Sequence, residues 1–134
     1  MGKGKSTKNP HDPKLLTKVE LEIMGHIWRL GEASVADVIL ALPEERKLAY
    51  TSVSTMMRIL ESKGAVGSRK EGRGHVYFPL VAKEKYEAAS LKSLVSQVFD
   101  GAPVTLVRRL LDEESLSRED LEALRELLEE RLKS

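Results

Sequence analysis

The feature of this sequence that most constrains its fold is a strand-like pair directly after a segment with helical periodicity. Around the stretch GSRKEGRGHVYFP, residues 65–70 and 75–80 are predicted to form two short strands. Gly72 and Gly74 are expected to supply positive φ angles where the chain reverses, and Pro79 is expected to end the second strand at an edge. An isolated hairpin is at best marginally stable, so the preceding helices must pack on it.

Three helices are predicted before this hairpin. Thr17 and Ser34 each begin a capping box, in which an N-cap hydroxyl and an acidic residue three positions later bond each other's backbone amides. The third helix is predicted from about residue 49 to residue 63, with Val53, Met56, Met57 and Leu60 facing inward. A short loop between the second and third helices is typical of a helix-turn-helix. The hairpin that follows predicts a winged helix.

The C-terminal third of the chain is predicted to be helical again. Leucine and valine recur at helical spacing in three segments, which begin near Lys83, at Pro103 and near Ser117. Little else in the chain could cover these apolar faces, so we expect them to drive association. The predicted dimerisation residues are Leu91, Leu94, Val98, Val107, Leu110, Leu121, Leu124 and Leu128.

These elements predict a fold that is mainly α with a small antiparallel β-hairpin. The predicted organisation is a disordered basic tail over 1–14, a winged helix-turn-helix DNA-binding domain over 15–81 and a helical dimerisation domain over 82–134. The tail is rich in Gly, Lys, Ser, Asn and Pro and lacks the apolar segment of a secretory signal. No apolar run is long enough for a transmembrane helix, and we expect a cytoplasmic protein without membrane contact.

Charge is divided unevenly along the chain. Residues 1–85 contain 15 Lys and Arg against 10 Asp and Glu, whereas residues 86–134 contain 7 against 11. A basic front half favours a polyanionic partner such as nucleic acid. Chance unevenness is the alternative interpretation of so modest an excess.

Hydroxyl side chains dominate the outward face of the third helix. Ser and Thr are poor helix formers, but they can bond phosphates and base edges, and a helix N-terminus attracts phosphate. Basic residues of the hairpin can reach the DNA backbone or the minor groove, although a solvated hairpin tip is the alternative. The predicted DNA-binding residues are Ser34, Tyr50, Thr51, Ser52, Ser54, Thr55, Arg58, Arg69, Lys70 and Arg73.

No catalytic or metal-binding pattern stands out. The absence of cysteine excludes disulfides, thiolate metal sites and a cysteine nucleophile. The three histidines, His11, His26 and His75, show no metal-ligand spacing. The segment GSRKEGRG lacks the Lys-Ser/Thr ending of a phosphate-binding loop. We therefore expect no enzymatic activity, no cofactor and no bound metal.

Three segments, LTKVELEIMGHIW, AYTSVSTMMRILESKG and GRGHVYFPL, resemble in order and spacing the penicillinase repressor family of BlaI/MecI/CopY-type bacterial transcriptional regulators. The segments VFDGAPVTLV and LSREDLEALRELLE resemble the dimerisation helices of that family. The resemblance implies a homodimeric repressor whose winged helices bind a palindromic operator and deny the promoter to polymerase. It places Thr51, Ser52, Ser54 and Thr55 on the recognition helix. It places Arg69, Lys70 and Arg73 near the DNA backbone.

Two switching devices of the family are not matched in this sequence. Copper-responsive members carry a cysteine-rich C-terminal metal motif, and this chain has no cysteine. Antibiotic-responsive members are cleaved at an Asn-Phe bond, where the alignment places Arg109 and Leu110. The sensor or protease, the inducer and the regulated genes are therefore left open. So is the alternative of a winged helix that docks another protein without an operator.

Overall fold

The computed structural model describes residues 13–134, so the predicted tail lies outside the described residues except for its last two positions. The elements in chain order are α1 (Lys18–Leu30), α2 (Val35–Ala41), α3 (Tyr50–Ser62), β1 (Val66–Glu71), β2 (Gly74–Pro79), α4 (Lys83–Val98), α5 (Pro103–Asp112) and α6 (Arg118–Lys133). This order confirms the predicted fold class. None of the helices in the described part of the chain could cross a membrane.

The described chain divides into two compact units. The first ends at Leu91, and the second is Lys92–Ser134. The sequence placed the domain boundary after residue 81, ten residues earlier than this division. The difference arises because the first turns of α4 pack on α1 within the first unit.

Capping explains where the first two helices begin. Thr17 Oγ1 accepts a hydrogen bond from Glu20 N at 3.3 Å, and Glu20 Oε1 accepts one from Thr17 N at 3.0 Å. Ser34 and Asp37 form the same box at the start of α2. Gly31 ends α1 with a φ of 87°, a conformation that costs glycine little. Both predicted boxes are confirmed.

The core of the first unit lies between the three helices and the hairpin. The largest fully buried side chains are Ile23, Met24, Ile27, Val38, Val53, Met57, Leu60 and Val66. Burying each apolar side chain of this size stabilises the fold by about 1.5–3 kcal/mol. Met56, predicted to face inward, is only partly buried and packs on the edge of this cluster.

An ion pair with a buried carboxylate joins the start of α1 to the residue after α3. Glu20 is 5% exposed, and its Oε1 accepts a hydrogen bond from Lys63 Nζ at 2.6 Å. Burial raises the pKa of Glu20, but the hydrogen bonds from Lys63 and Thr17 outweigh it and leave that pKa below its ordinary value. The carboxylate therefore serves both as a helix cap and as a tertiary contact.

The hairpin turns in two residues. Glu71 pairs with Gly74, which leaves Gly72 and Arg73 as the turn. Gly72 has a φ of 61°, but Gly74 does not have a positive φ and is the first residue of β2. The prediction for Gly74 was wrong because a turn of this kind, with type II′ character, needs a positive φ only at its first central residue.

A third segment joins this small sheet, although the sequence did not predict it. Ala33 and Tyr77 exchange two backbone hydrogen bonds of 2.8 Å each. Tyr77 is buried and Phe78 is half-buried, because successive residues of a strand point to opposite faces. The loop between α1 and α2 is thus paired directly to β2.

Aromatic side chains hold the beginning of α4 to α1. The indole Nε1 of Trp28 donates to the carbonyl of Val81 at 2.8 Å, and its ring centroid lies 5.7 Å from that of Tyr86. The Tyr86 hydroxyl accepts a hydrogen bond from Leu16 N at 2.9 Å. These contacts explain why the first unit extends into α4.

The second unit contains the end of α4 with α5 and α6. Asp100 and Gly101, with φ angles of 53° and 77°, form the reversal after α4. Pro103 begins α5 as predicted, and Ser117 begins α6 with a third capping box. No residue of Lys92–Ser134 is buried. The helices of this unit therefore leave much of their apolar faces exposed.

Candidate nucleic-acid interface

A groove of about 400 Å³ lies between the start of α2, the outer face of α3 and the hairpin. Polar and charged side chains from all three elements line it, so it could accept a polar partner. The predicted DNA-binding residues that line it are Ser34, Tyr50, Ser54, Arg58 and Arg73. The structure thus brings half of the predicted set together in one place.

The remaining predicted residues of α3 lie on its exposed face. Thr51, Ser52 and Thr55 are exposed, while Ser54 is half-buried at the groove. Tyr50 is 60% exposed at the first position of the helix. A row of hydroxyls and one aromatic ring is therefore presented to the outside by the first two turns of α3.

The N-terminus of α3 differs electrostatically from those of α1, α2 and α6. Each of those three helices begins with a capping box and an acidic first turn. The N-cap of α3 is Ala49, which makes no side-chain capping bond, and its first turn contains no acidic residue. Its first amide groups and the positive end of its dipole are therefore not neutralised by a carboxylate.

The front of the hairpin is fastened to α3 beside these residues. Ser68 Oγ donates a hydrogen bond of 2.7 Å to Glu61 Oε2. Burial raises the pKa of the Tyr77 hydroxyl, and the Glu61 carboxylate adds to that rise. Ser68, Tyr77 and Glu61 all line the groove, so its inner wall is a fixed polar surface.

Three cations of this surface have no acidic partner. Arg58, Lys70 and Arg73 are exposed, and within residues 13–134 none of them forms an ion pair. Arg73 occupies the turn of the hairpin, and Arg58 lies on α3 on the opposite side of the groove. The groove therefore presents two arginines that form no ion pair, with Glu61 as the acidic residue of its lining, so an anion that enters from outside would meet a net positive charge.

Arg69 is placed differently from the two cations with which the sequence grouped it. Ser68 and Lys70 pair with Tyr77 and His75, whereas Arg69 pairs with Val76, and alternation puts Arg69 on the other face of the hairpin. There its Nη1 and Nη2 atoms donate to the two carboxylate oxygens of Glu32 at 2.9 Å each. Arg69 is not part of the groove.

A second carboxylate completes this contact. Glu71 Oε2 accepts from Arg69 Nη2 at 3.3 Å. The hydrogen bonds from Arg69 lower the pKa of Glu32, and the carboxylate of Glu32 raises the pKa of Arg69. The alternation of β1 could have indicated the face of Arg69, but nothing in the sequence indicated Glu32 as its partner.

The predicted dimerisation residues lie on α4, α5 and α6, and most of them are exposed. Leu91 and Val98 are 51% and 61% exposed, and Leu128 on α6 is 55% exposed. Leu124 is the half-buried exception. The exposed remainder of the set is Leu94, Val107, Leu110 and Leu121.

The bond between Arg109 and Leu110 lies inside α5. The Arg109 guanidinium donates to Asp112 Oδ2 at 3.1 Å one turn later in the helix. In the part of the chain that the structure describes, no group of three His, Cys, Asp or Glu side chains could hold a metal ion.

The chain is similar to known repressors over most of its length. The penicillinase repressor family model matches residues 16–130. The chain is 30% identical to the penicillinase repressor of Bacillus licheniformis over 86% of this chain and 90% of that relative. It is 26% identical to the methicillin resistance regulatory protein MecI of Mammaliicoccus sciuri over 84% and 92%. Among solved structures, the DNA-binding domain of the repressor BlaI aligns at a TM-score of 0.49 with 32% identity, over 56% of this chain and 90% of that one.

Proposed function

The chain belongs to the penicillinase repressor family, and from that premise we propose that it is a homodimeric DNA-binding transcriptional repressor. Two copies would occupy an inverted-repeat operator and deny the promoter to polymerase. The relatives that match nearly the whole chain are repressors and regulators by name. Membership of a repressor family also confirms that the chain is not an enzyme.

One observation carries the DNA-binding proposal. The uncapped N-terminus of α3, its exposed hydroxyls and the unpaired cations Arg58 and Arg73 surround one groove. By contrast, Arg46 and Lys63 of the same unit are paired with the carboxylates of Glu22 and Glu20. Uncompensated positive charge beside hydrogen-bonding hydroxyls suits a phosphate backbone with base edges next to it.

The division of roles follows from the chemistry of each group. Arg58, Lys70, Arg73 and the first amides of α3 are proposed to bind phosphates, which supplies affinity and orientation. The exposed residues of α3 are proposed to reach base edges in the major groove, where hydroxyls can donate or accept and a threonine methyl can contact thymine. The residues given this second role are Tyr50, Thr51, Ser52, Ser54 and Thr55.

The second unit supports the homodimer. Its helices are amphipathic, yet none of its residues is buried, and an apolar face this extensive normally marks an interaction site. A second copy would offer an identical face, so a two-fold interface could cover both at once. The operator would then be an inverted repeat, with half-site centres about one helical turn, or a multiple of it, apart. We infer a cytoplasmic location, since a bacterial operator lies there.

Selection of bound duplexes from a random pool tests this proposal. We expect an inverted repeat to be enriched, and the protein to sediment as two chains. Binding to the selected duplex should weaken steeply with salt, by about 0.9 in logarithmic slope for each phosphate contacted. Equal binding to selected and scrambled duplexes at every salt concentration would contradict the repressor and favour a protein-docking module instead.

A further inference from the structure

We propose that Arg69 is a positioning residue of the hairpin and not a phosphate contact. Together with Glu32 it fastens the back of the hairpin to the loop between α1 and α2. The effect on DNA rests on the proposed function, whereas the fastening itself does not. The two parts can therefore be tested separately.

The geometry of the contact is the first argument. Two parallel hydrogen bonds of 2.9 Å join the guanidinium of Arg69 to the carboxylate of Glu32, 37 residues away in the sequence. Most exposed ion pairs contribute little to stability. The exceptions include bidentate arginine–carboxylate pairs and networks of several charges, and this contact has both features. Glu71 supplies that further carboxylate.

The charge of the cluster is the second argument. One guanidinium faces the carboxylates of Glu32 and Glu71, so the cluster as a whole is negative. A phosphate that approached Arg69 would meet this net negative charge and would have to displace bonds already made. Within the described residues Lys70 and Arg73 form no ion pair. They are therefore the cations of the hairpin that are available to bind a polyanion.

The position of the cluster shows what the contact holds in place. Glu32 directly precedes Ala33, whose backbone pairs with Tyr77. On the opposite face, Ser68 is bonded to Glu61 of α3. The hairpin is thus secured from both faces near its middle, and the turn that carries Arg73 projects from a fixed base beside the groove.

A charge exchange separates positioning from phosphate contact. Arg69→Glu sets three carboxylates together and should release the hairpin. Adding Glu32→Arg restores a cluster of one guanidinium and two carboxylates, at the net charge of the wild type. The matched control pairs Glu32→Arg with Arg73→Glu, which has the same net charge but places the new acidic group at the turn.

The rate of hydrogen exchange of the hairpin amides in the free protein tests whether the Arg69–Glu32 contact fastens the hairpin. We expect Arg69→Glu to accelerate exchange across β1 and β2, and the double variant R69E/E32R to return it to the wild-type rate. Unchanged exchange in Arg69→Glu would overturn the fastening. This measurement contains no DNA, so it stands even if the proposed repressor function fails.

The affinity for a random-sequence duplex at low salt tests the role of Arg69 in DNA binding. We expect Arg69→Glu to bind about tenfold more weakly, the double variant R69E/E32R to recover to within about threefold of wild type, and the control E32R/R73E to remain about tenfold weak. Recovery of exchange without recovery of binding would show that Arg69 itself touches phosphate. A wild type that binds no duplex would instead contradict the repressor function and leave the exchange result to decide the fastening.

Discussion

The two compact units of this chain differ in what their apolar side chains touch. In the first unit Ile23, Met57 and Leu60 are completely buried. In the second, Lys92–Ser134 has no buried residue, and Leu127 is 66% exposed. Short amphipathic helices are marginal alone and depend on a packed apolar face. The first unit thus has its own core, whereas the second is expected to obtain one from another copy.

The largest expected effect is a loss of stability when a core side chain of the first unit is truncated. Leu60→Ala removes a fully buried side chain and should lower the free energy of unfolding by about 2–5 kcal/mol. Leu40→Ala on α2 is the matched control because that side chain is 83% exposed, and its effect should stay within about 0.5 kcal/mol. Urea unfolding followed by circular dichroism measures both. Equal losses at the two sites would mean that burial does not distinguish them.

The next effect concerns the second unit. Leu121→Glu combined with Leu128→Glu places two charges on the exposed apolar face of α6. We expect the dissociation constant of the dimer to rise by at least about 100-fold, while the unfolding of the first unit is unchanged. Sedimentation equilibrium measures association, and Leu40→Glu is the control for a charge on an exposed leucine of the first unit. Persistence of an unaltered dimer would argue against this face.

A smaller effect concerns the ion pair of Glu20 and Lys63 in the first unit. Folding lowers the pKa of Glu20, so its stabilisation is present above the unfolded pKa of about 4.3 and is lost as the pH falls through the lower folded value. Glu20→Gln should cost about 1–2 kcal/mol at neutral pH and should flatten the acid side of the stability curve.

The control for this variant is Glu22→Gln. Glu22 also has a lowered pKa, caused by its hydrogen bond with Arg46, but both partners are more exposed than Glu20. Its replacement should therefore change the free energy of unfolding less, since exposed pairs are screened. Unfolding measured from neutral pH to about pH 3 compares the two variants. A larger effect at Glu22 would contradict the role given to burial.

The smallest expected effect concerns the polar groove of the first unit. Arg73→Gln should lower the magnitude of the logarithmic salt slope of DNA binding by about 0.9, the value for one phosphate contact. Lys85→Gln, an exposed cation of α4 outside the groove, should leave the slope unchanged. Fluorescence anisotropy with a labelled duplex over a salt series measures the slopes. Equal slopes for both variants would remove Arg73 from the proposed contacts.

Local chemistry made much of the fold predictable. Thr17, Ser34 and Ser117 begin helices because each is followed three residues later by an acidic partner, and all three capping boxes are present. Gly31 and Pro103 likewise mark a helix end and a helix start through their own backbone preferences. Signals of this kind act over a few residues, so the sequence contains them completely.

Contacts between residues that lie far apart in the sequence could not be predicted. The pairing of Ala33 with Tyr77, and of Glu32 with Arg69, joins residues about forty positions apart and follows from how the loop after α1 meets β2. The wrong prediction of a positive φ at Gly74 has another cause. The order Gly-Arg-Gly is compatible with more than one turn type, and these types differ in which residues need a positive φ. The set of DNA-contacting residues stays a prediction, although the groove brings half of it together.

The junction between α1 and α4 gives this protein a built-in optical probe. Trp28 is the only tryptophan of the chain, and its indole is hydrogen-bonded to Val81 and close to the ring of Tyr86. Its emission should therefore report the detachment of the first turns of α4, since indole fluorescence is sensitive to hydration and to loss of a hydrogen-bond partner. No label is required, and the signal can be followed during dilution, heating or titration with DNA.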